Sequence, residues 1–250
     1  MNYGICNLSV VPLRAEAADT SEMVSQVLYG ELFKVLEIRK KWSRIRLTFD
    51  GYEGWMDNKQ FLTISEENYD HFKGLPSKMS SDLVDFITTS EKQLLSICIG
   101  SNLKGCSLLE HSFEGKFISE KFPKEHIIET ALIYLNTPYL WGGKTPFGID
   151  CSGFTQMVYK LNGYKLKRDA SEQATQGEAL SFIEESEPGD LAFFDNNEGA
   201  ITHVGIIMKD NYIIHAHGKV RIDRIDHSGI FNYDVRAHTH KLRVIKRIIK

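Results

Sequence analysis

The sequence contains no C-x-x-C pair, no long apolar run and no excess of charge of either sign, and each absence removes a class of function. Its four cysteines, Cys6, Cys98, Cys106 and Cys151, stand at irregular spacings. Neither a zinc knuckle, a dithiol redox motif nor a framework of structural disulfides is therefore expected. No window approaches the roughly 18 apolar residues of a membrane-spanning helix. The first residues, MNYGICNLSVVPLRAEAADT, lack the basic start, apolar run and small-residue cleavage site of a secretory signal, so a cytoplasmic location is expected. Thirty Lys plus Arg against 33 Asp plus Glu give a net charge of −3, which offers no basic field for nucleic acid and no strong acidic field. No internal repeat of solenoid period is present.

What is there is ordinary globular protein, with 42% apolar and 25% charged residues, and 250 residues leave room for one large domain or two to three small ones. Short β-like runs dominate the start: Val10 to Leu13, Ser25 to Leu28, Leu32 to Ile38 and Trp42 to Phe49, then the Asp50-Gly51 turn and Gly54-Trp55-Met56. Residues 1–65 are read as a small all-β module. Residues 66–121 are read as a second, more degenerate β unit, with LVDFITT, QLLSICIG and KFISE as its strands. A boundary is expected at Phe122-Pro123-Lys124, where the period turns helical. Ile127, Ile128, Ala131, Leu132 and Leu135 recur at helical spacing until Asn136-Thr137-Pro138. Phe154, Val158 and Leu161 define a second helix, stopped by Asn162-Gly163, that places Cys151 at its start. From Pro188 the pattern becomes strands: DLAFF, THVGIIM, YIIHAH, VRIDRI and KLRVIKRII. Residues 122–250 thus read as an α+β domain with its helices before its sheet.

Chemistry concentrates around Cys151. A helix N-terminus presents free N–H groups and positive partial charge, which favour a thiolate. Ser152 and Gly153 leave the sulfur approachable, and Gly142, Gly143 and Gly148 suit a loop passing close to a substrate backbone. The bland alternative is a buried structural cysteine. Against it stands a histidine pair on what read as adjacent antiparallel strands. If their loop is Lys209-Asp210-Asn211, Met208 pairs with Tyr212, His203 faces His217, and His215 lies diagonally on the same side. A two-residue loop would send His203 and His215 to opposite faces. A base oriented by a second polar side chain is what an activated thiol needs.

TPYLWGG, DCSGFTQMVY, THVGIIM and IIHAHGKVRID, in that order and with 52 residues from Cys151 to His203, resemble the NlpC/P60 family of papain-like cysteine peptidases. The resemblance covers about Pro123 to Lys250. It implies a papain-like catalytic domain with Cys151 as nucleophile, His203 as base and His215 as the residue orienting it. It also implies Tyr139 as an aid to the oxyanion, for which lip packing is the alternative. Upstream, PLRAEAADTSEMVSQVLYGELFKVLE, WSRIR and DGYEGWM resemble a bacterial SH3 domain. The combination is similar to γ-D-glutamyl-L-diamino-acid endopeptidases that trim free murein peptides. That subgroup holds its substrate's free amine on acidic residues and a tyrosine, which implies Asp169, Asp150 and Ser152 on the peptidase side and Glu16 and Tyr52 on the SH3 side.

The expected partner is a murein-derived peptide, with no metal and no organic cofactor. His217 departs from the small residue usual after IHA, and a zinc cluster of Cys151, His203, His215 and His217 is the alternative it leaves open. A non-catalytic wall-binding protein and a thiol amidase or acyltransferase are the other classes to separate. The basic run Lys241, Arg243, Lys246, Arg247 and Lys250 is read as a solvated strand face, because apolar residues interleave it and no aromatic stacking set accompanies it.

Overall fold

Alternation of buried and exposed positions builds the N-terminal sheet: along Trp42–Leu47, Ser43, Ile45 and Leu47 face inward while Arg44 and Arg46 face out. The computed structural model describes residues 2–249, so Lys250 lies outside the described residues. The chain divides into two units, Met1–Glu120 with Trp141–Pro146, and Lys121–Leu140 with Phe147–Lys250.

In the first unit, a seven-stranded antiparallel sheet runs in the order Met23–Leu28, Val10–Arg14, Glu53–Asp57, Trp42–Leu47, Leu32–Ile38, Asn2–Ile5, Leu62–Ile64. The expected strands are all present, and Asn2–Ile5 and Leu62–Ile64 add to them. Val11, Leu13, Val27, Phe33, Ile45 and Met56 fill its core. In the following stretch Val84–Thr88 pairs with Leu94–Cys98, and Met79–Ser80 with Phe117–Ile118. It also holds a helix, Glu66–Gly74, where only strands were expected. Ser65 caps it by accepting from the Asn68 N–H, and Tyr69 and Phe72 alone supply its buried face, too few apolar positions to show a period.

The Trp141–Pro146 segment belongs to this unit. Trp141 Nε1 donates to Glu22 Oε1 at 2.6 Å, and the Lys144 N–H donates to Gln26 Oε1 at 2.7 Å. Gly142 has φ +74°, and a Cβ there would lie 2.2 Å from the Met23 carbonyl oxygen. In the second unit a Cβ on Gly148 would lie 2.7 Å from Leu140 Cβ. These two glycines therefore answer to close packing on the protein's own chain.

In the second unit the two foreseen helices form at His126–Ile133 and Cys151–Leu161. The latter is buried along its whole length and packs against strands Ile201–Ile207 and Tyr212–His217. Gly163, at φ +84°, provides the left-handed stop. Antiparallel strands Leu191–Asp195, Ile201–Ile207, Tyr212–His217, Lys219–Asp226 and Gly229–Asn232 follow in order. The final strand, Ala237–Arg247, pairs with Gly229–Asn232 along its first part and Leu191–Asp195 along its second, which closes the sheet into a barrel. Glu178–Leu180 adds an edge strand to it. Strand Gly229–Asn232 escaped the sequence reading because it is short and contains only two apolar residues.

Candidate active site

Cys151 is the first residue of its helix because Asp150 caps it: Oδ1 accepts the Gly153 N–H at 2.6 Å. Asp150 is itself held by Arg168, whose two terminal nitrogens reach Oδ1 at 3.0 Å and Oδ2 at 2.6 Å and which also donates to Ser152 Oγ at 2.9 Å. Arg168 is only 1% exposed, so this pairing is what makes its burial tolerable. The Cys151 sulfur lies 4.0 Å from the Thr202 carbonyl oxygen and takes a backbone hydrogen bond from Val204, the two residues flanking His203.

His203 and His215 meet as the three-residue loop requires. Gly205 pairs with His215 and Ile207 with Ile213, Met208 N–H donates to the Tyr212 carbonyl, and Asp210 and Asn211 adopt positive φ in the turn. His203 Nε2 and His215 Nδ1 are 2.8 Å apart. Gly205 is needed for this: a Cβ there would stand 2.9 Å from His215 Cβ and 2.7 Å from Ile213 Cδ1. The glycine of the H-V-G triplet thus makes room for the second histidine.

Electrostatics set the resting protonation. Burial, with the Asp150 charge adding to it, pushes the Cys151 thiol from 9.0 up to about 12, against the opposing pull of Val204 N–H and Arg168. That rise corresponds to about 4 kcal/mol, more than the roughly 0.3–2 kcal/mol a helix N-terminus offers an anion. Burial and the neighbouring His215, His240 and His217 hold His203 well below the ordinary imidazole value. The pair therefore rests as neutral thiol and neutral imidazole. The expected thiolate-favouring effect of the helix start is present but outweighed.

Behind His215, its Nε2 lies 3.0 Å from Asp223 Oδ2, and the carboxylate is paired with Arg221, which in turn reaches Asp234. His240 stacks on His203 with ring centroids 4.2 Å apart, and burial drops its pKa to about 4. Asp223, His240 and Arg168 were not singled out from the sequence. For Asp223 a signal existed: a one-residue turn at Gly218 pairs His217 with Lys219 and His215 with Arg221, so Arg221 and Asp223 alternate onto the histidines' face.

Tyr139 is half-buried. Burial and then the Cys151 and Asp150 charges raise its hydroxyl to about 12, placing it electrostatically beside the thiol and keeping it a donor. Asp169 precedes the short helix Ala170–Gln173 at intermediate exposure. Cys151, His203, His215, Tyr139, Asp150, Ser152 and Asp169 all belong to the second unit. Glu16, exposed, and Tyr52, packed against the sheet core, belong to the first unit. His217 is exposed, and among the described residues no group of three or more His, Cys, Asp or Glu is disposed to hold a metal ion.

Two family models match the chain: the NlpC/P60 family over residues 136–239 and the bacterial dipeptidyl-peptidase SH3 domain over residues 13–61. The γ-D-glutamyl-L-lysine dipeptidyl-peptidase of Bacillus subtilis (strain 168) is 30% identical over 215 residues, 77% of this chain and 71% of that protein. Dipeptidyl-peptidase 6 of Lysinibacillus sphaericus is 29% identical, over 82% of this chain and 83% of its own. Among solved structures, an NlpC/P60 family protein from Bacillus cereus ATCC 10987 superposes with a TM-score of 0.80 over 99% of this chain and 100% of that one, at 18% identity, a likeness of fold. The barrel, the cysteine-bearing helix packed on it and a relative matched along most of both chains converge: the protein belongs to the NlpC/P60 family of peptidases, with a bacterial SH3 domain preceding the peptidase domain.

Proposed function

We propose that the protein hydrolyses the γ-D-glutamyl-L-diamino-acid bond of murein peptides bearing a free N-terminal L-alanine, in the cytoplasm, as a step of cell-wall peptide recycling. The observation that carries this reading is a helix-start cysteine whose sulfur meets the backbone flanking His203, with His203 2.8 Å from His215, in a chain whose relatives carry γ-D-glutamyl-L-lysine dipeptidyl-peptidase names.

His203 takes the thiol proton as the Cys151 sulfur bonds to the γ-glutamyl carbonyl carbon. The oxyanion is held by the Cys151 N–H and the Tyr139 hydroxyl, which stays protonated at neutral pH. Collapse breaks the C–N bond, and His203 gives its proton to the leaving amine. Water, deprotonated by His203, then cleaves the thioester, releasing L-Ala-D-Glu and restoring the thiol. The cycle uses no metal and no organic cofactor.

On the family resemblance, selection for a free amine falls to Asp169 together with Asp150 and Ser152, the latter two braced by Arg168. The roles of Glu16 and Tyr52, from the first unit, rest on the family resemblance and are tested by the same assay. A charge-assisted hydrogen bond to an ammonium is worth about 1.5–3 kcal/mol, whereas an acylated amine carries no charge for the carboxylate to meet. Incubation with L-Ala-γ-D-Glu-diamino-acid peptide and its N-acetylated form, with products identified by mass, tests the reading. The free peptide is expected to be cleaved far faster, and Asp169→Ala to narrow the gap by slowing the free peptide. Comparable rates on both forms, or efficient digestion of intact sacculi, would overturn it in favour of a wall-binding role for the SH3 domain.

A further inference from the structure

Two neutral imidazoles facing each other across 2.8 Å share one proton, and which ring supplies it decides whether His203 can act as a base. A neutral imidazole carries one N–H. If His203 Nε2 holds it, Nδ1 is bare and able to take a proton. If His215 Nδ1 donates instead, His203 must carry its own proton on Nδ1 and has no acceptor left for a thiol. Nothing in the Cys151, His203 and His215 set chooses between the two.

The choice is made one step further back. Asp223 is 2% exposed, and its Oδ2 lies 3.0 Å from His215 Nε2. Arg221 NH2 donates to Oδ1 at 2.9 Å, and Arg221 Nε lies 2.7 Å from Oδ2. Arg221 is itself anchored by Asp234 at 2.8 Å and reaches Asn232 at 3.5 Å. Facing Asp223 are thus the imidazole of the adjoining strand and the guanidinium of its own. A carboxylate between them can only accept.

We infer that Asp223 is a positioning residue: by accepting from His215 Nε2 it obliges His215 Nδ1 to accept from His203 Nε2, and so leaves His203 Nδ1 as the base. Burial disfavours the Asp223 anion, but His215 and Arg221 more than offset it and hold its pKa below the ordinary value. The same chain stabilises the imidazolium when His203 takes the thiol proton. Its Nε2–H then points along His215 toward a carboxylate. An asparagine cannot replace it. An amide nitrogen toward Arg221 NH2 sets donor against donor, so the amide turns its nitrogen toward His215 and inverts both tautomers.

The inference rests on the Cys151–His203 reading but not on the substrate. Long-range 1H–15N spectra of the 15N-histidine-labelled, substrate-free protein read the tautomers directly. Both His203 and His215 are expected as Nε2–H forms; an Nδ1–H His203 would overturn the proposal whatever the enzyme cleaves. Asp223→Asn, compared at equal melting temperature, is expected to lower kcat by about 10²–10⁴-fold at unchanged KM, to flip the histidine tautomers and to slow alkylation of Cys151 by iodoacetamide. An unchanged tautomer pattern in that variant, or a loss confined to KM, would contradict it. If the variant does not fold, the wild-type spectrum still decides. A failure of the murein-peptide assay with the expected tautomers in place would count against the substrate alone.

Discussion

Both units carry a seven-stranded antiparallel sheet, yet they treat charge in opposite ways. In the first, the ion pairs Arg46–Glu53 and Arg39–Glu37 lie on the surface. In the second, Arg168–Asp150, Asp190 with Lys124 and Arg247, and Asp223 with Arg221 bury at least one partner. A surface pair contributes little to stability, while a buried pair costs desolvation and survives only with good geometry. In the second unit two of these costly pairs stand directly behind the reacting groups: Asp150–Arg168 fixes the start of the Cys151 helix, and Asp223–Arg221 backs His215. The buried charge marks where geometry matters more than stability. The first unit has its own exception in Lys144, fully buried 3.8 Å from Glu31, and it falls on the Trp141–Pro146 segment joining Tyr139 to Cys151 in sequence.

The comparison breaks most severely at the nucleophile. Cys151→Ala is expected to abolish hydrolysis with little change in melting temperature, and His203→Ala to match it, while His215→Asn keeps part of the rate because an amide can still orient an imidazole. Steady-state kinetics on the free peptide check this. Equal and complete loss in the two histidine variants would remove the orienting role.

Next come the ion pairs. Arg168→Ala removes the guanidinium that faces buried Asp150 and is expected to cost about 3–5 kcal/mol, whereas Arg46→Ala in the first unit should cost under about 1 kcal/mol. Urea unfolding of both variants measures the contrast, and equal costs would erase the distinction between the units.

A smaller effect comes from the imidazoles. Burial lowers the pKa of His203, His215 and His240, the last to about 4, so below the ordinary 6.5 the unfolded chain binds protons that the folded one refuses. Stability should therefore fall as pH drops from about 6.5 toward 4. Asp223, whose folded pKa lies below 3.8, adds a further loss at lower pH as the unfolded chain takes up that proton too. Urea midpoints across this range should show the slope, and His240→Phe should flatten part of it. The smallest effect expected is that of chelators, which should leave turnover unchanged; loss on chelation with recovery by zinc would restore the metal alternative.

Much of this was legible in the sequence because the informative features are local. Period-two alternation marked Leu32–Ile38 and Tyr212–His217, and the requirement that His203 and His215 share a face fixed a three-residue loop and the register Gly205 with His215. Three kinds of feature were not legible. The helix Glu66–Gly74 buries only Tyr69 and Phe72, so its cues were confined to its ends: the capping Ser65, acidic Glu66 and Glu67, and basic His71 and Lys73. Arg168 reads as a surface residue in a Lys-Arg-Asp run, and only the tertiary fold turns it inward onto Asp150. The rise of the Cys151 thiol is a consequence of burial that no helix-start argument contains.

The central claim is that Cys151, relayed through His203, attacks the γ-D-glutamyl carbonyl. Rapid quenching of the enzyme with L-Ala-γ-D-Glu-diamino-acid peptide, followed by digestion and mass analysis, tests it most directly. An L-Ala-D-Glu acyl group in thioester linkage on Cys151 is expected, absent in Cys151→Ala. An adduct on another residue, or peptide hydrolysis by Cys151→Ala within about tenfold of wild type, would contradict it.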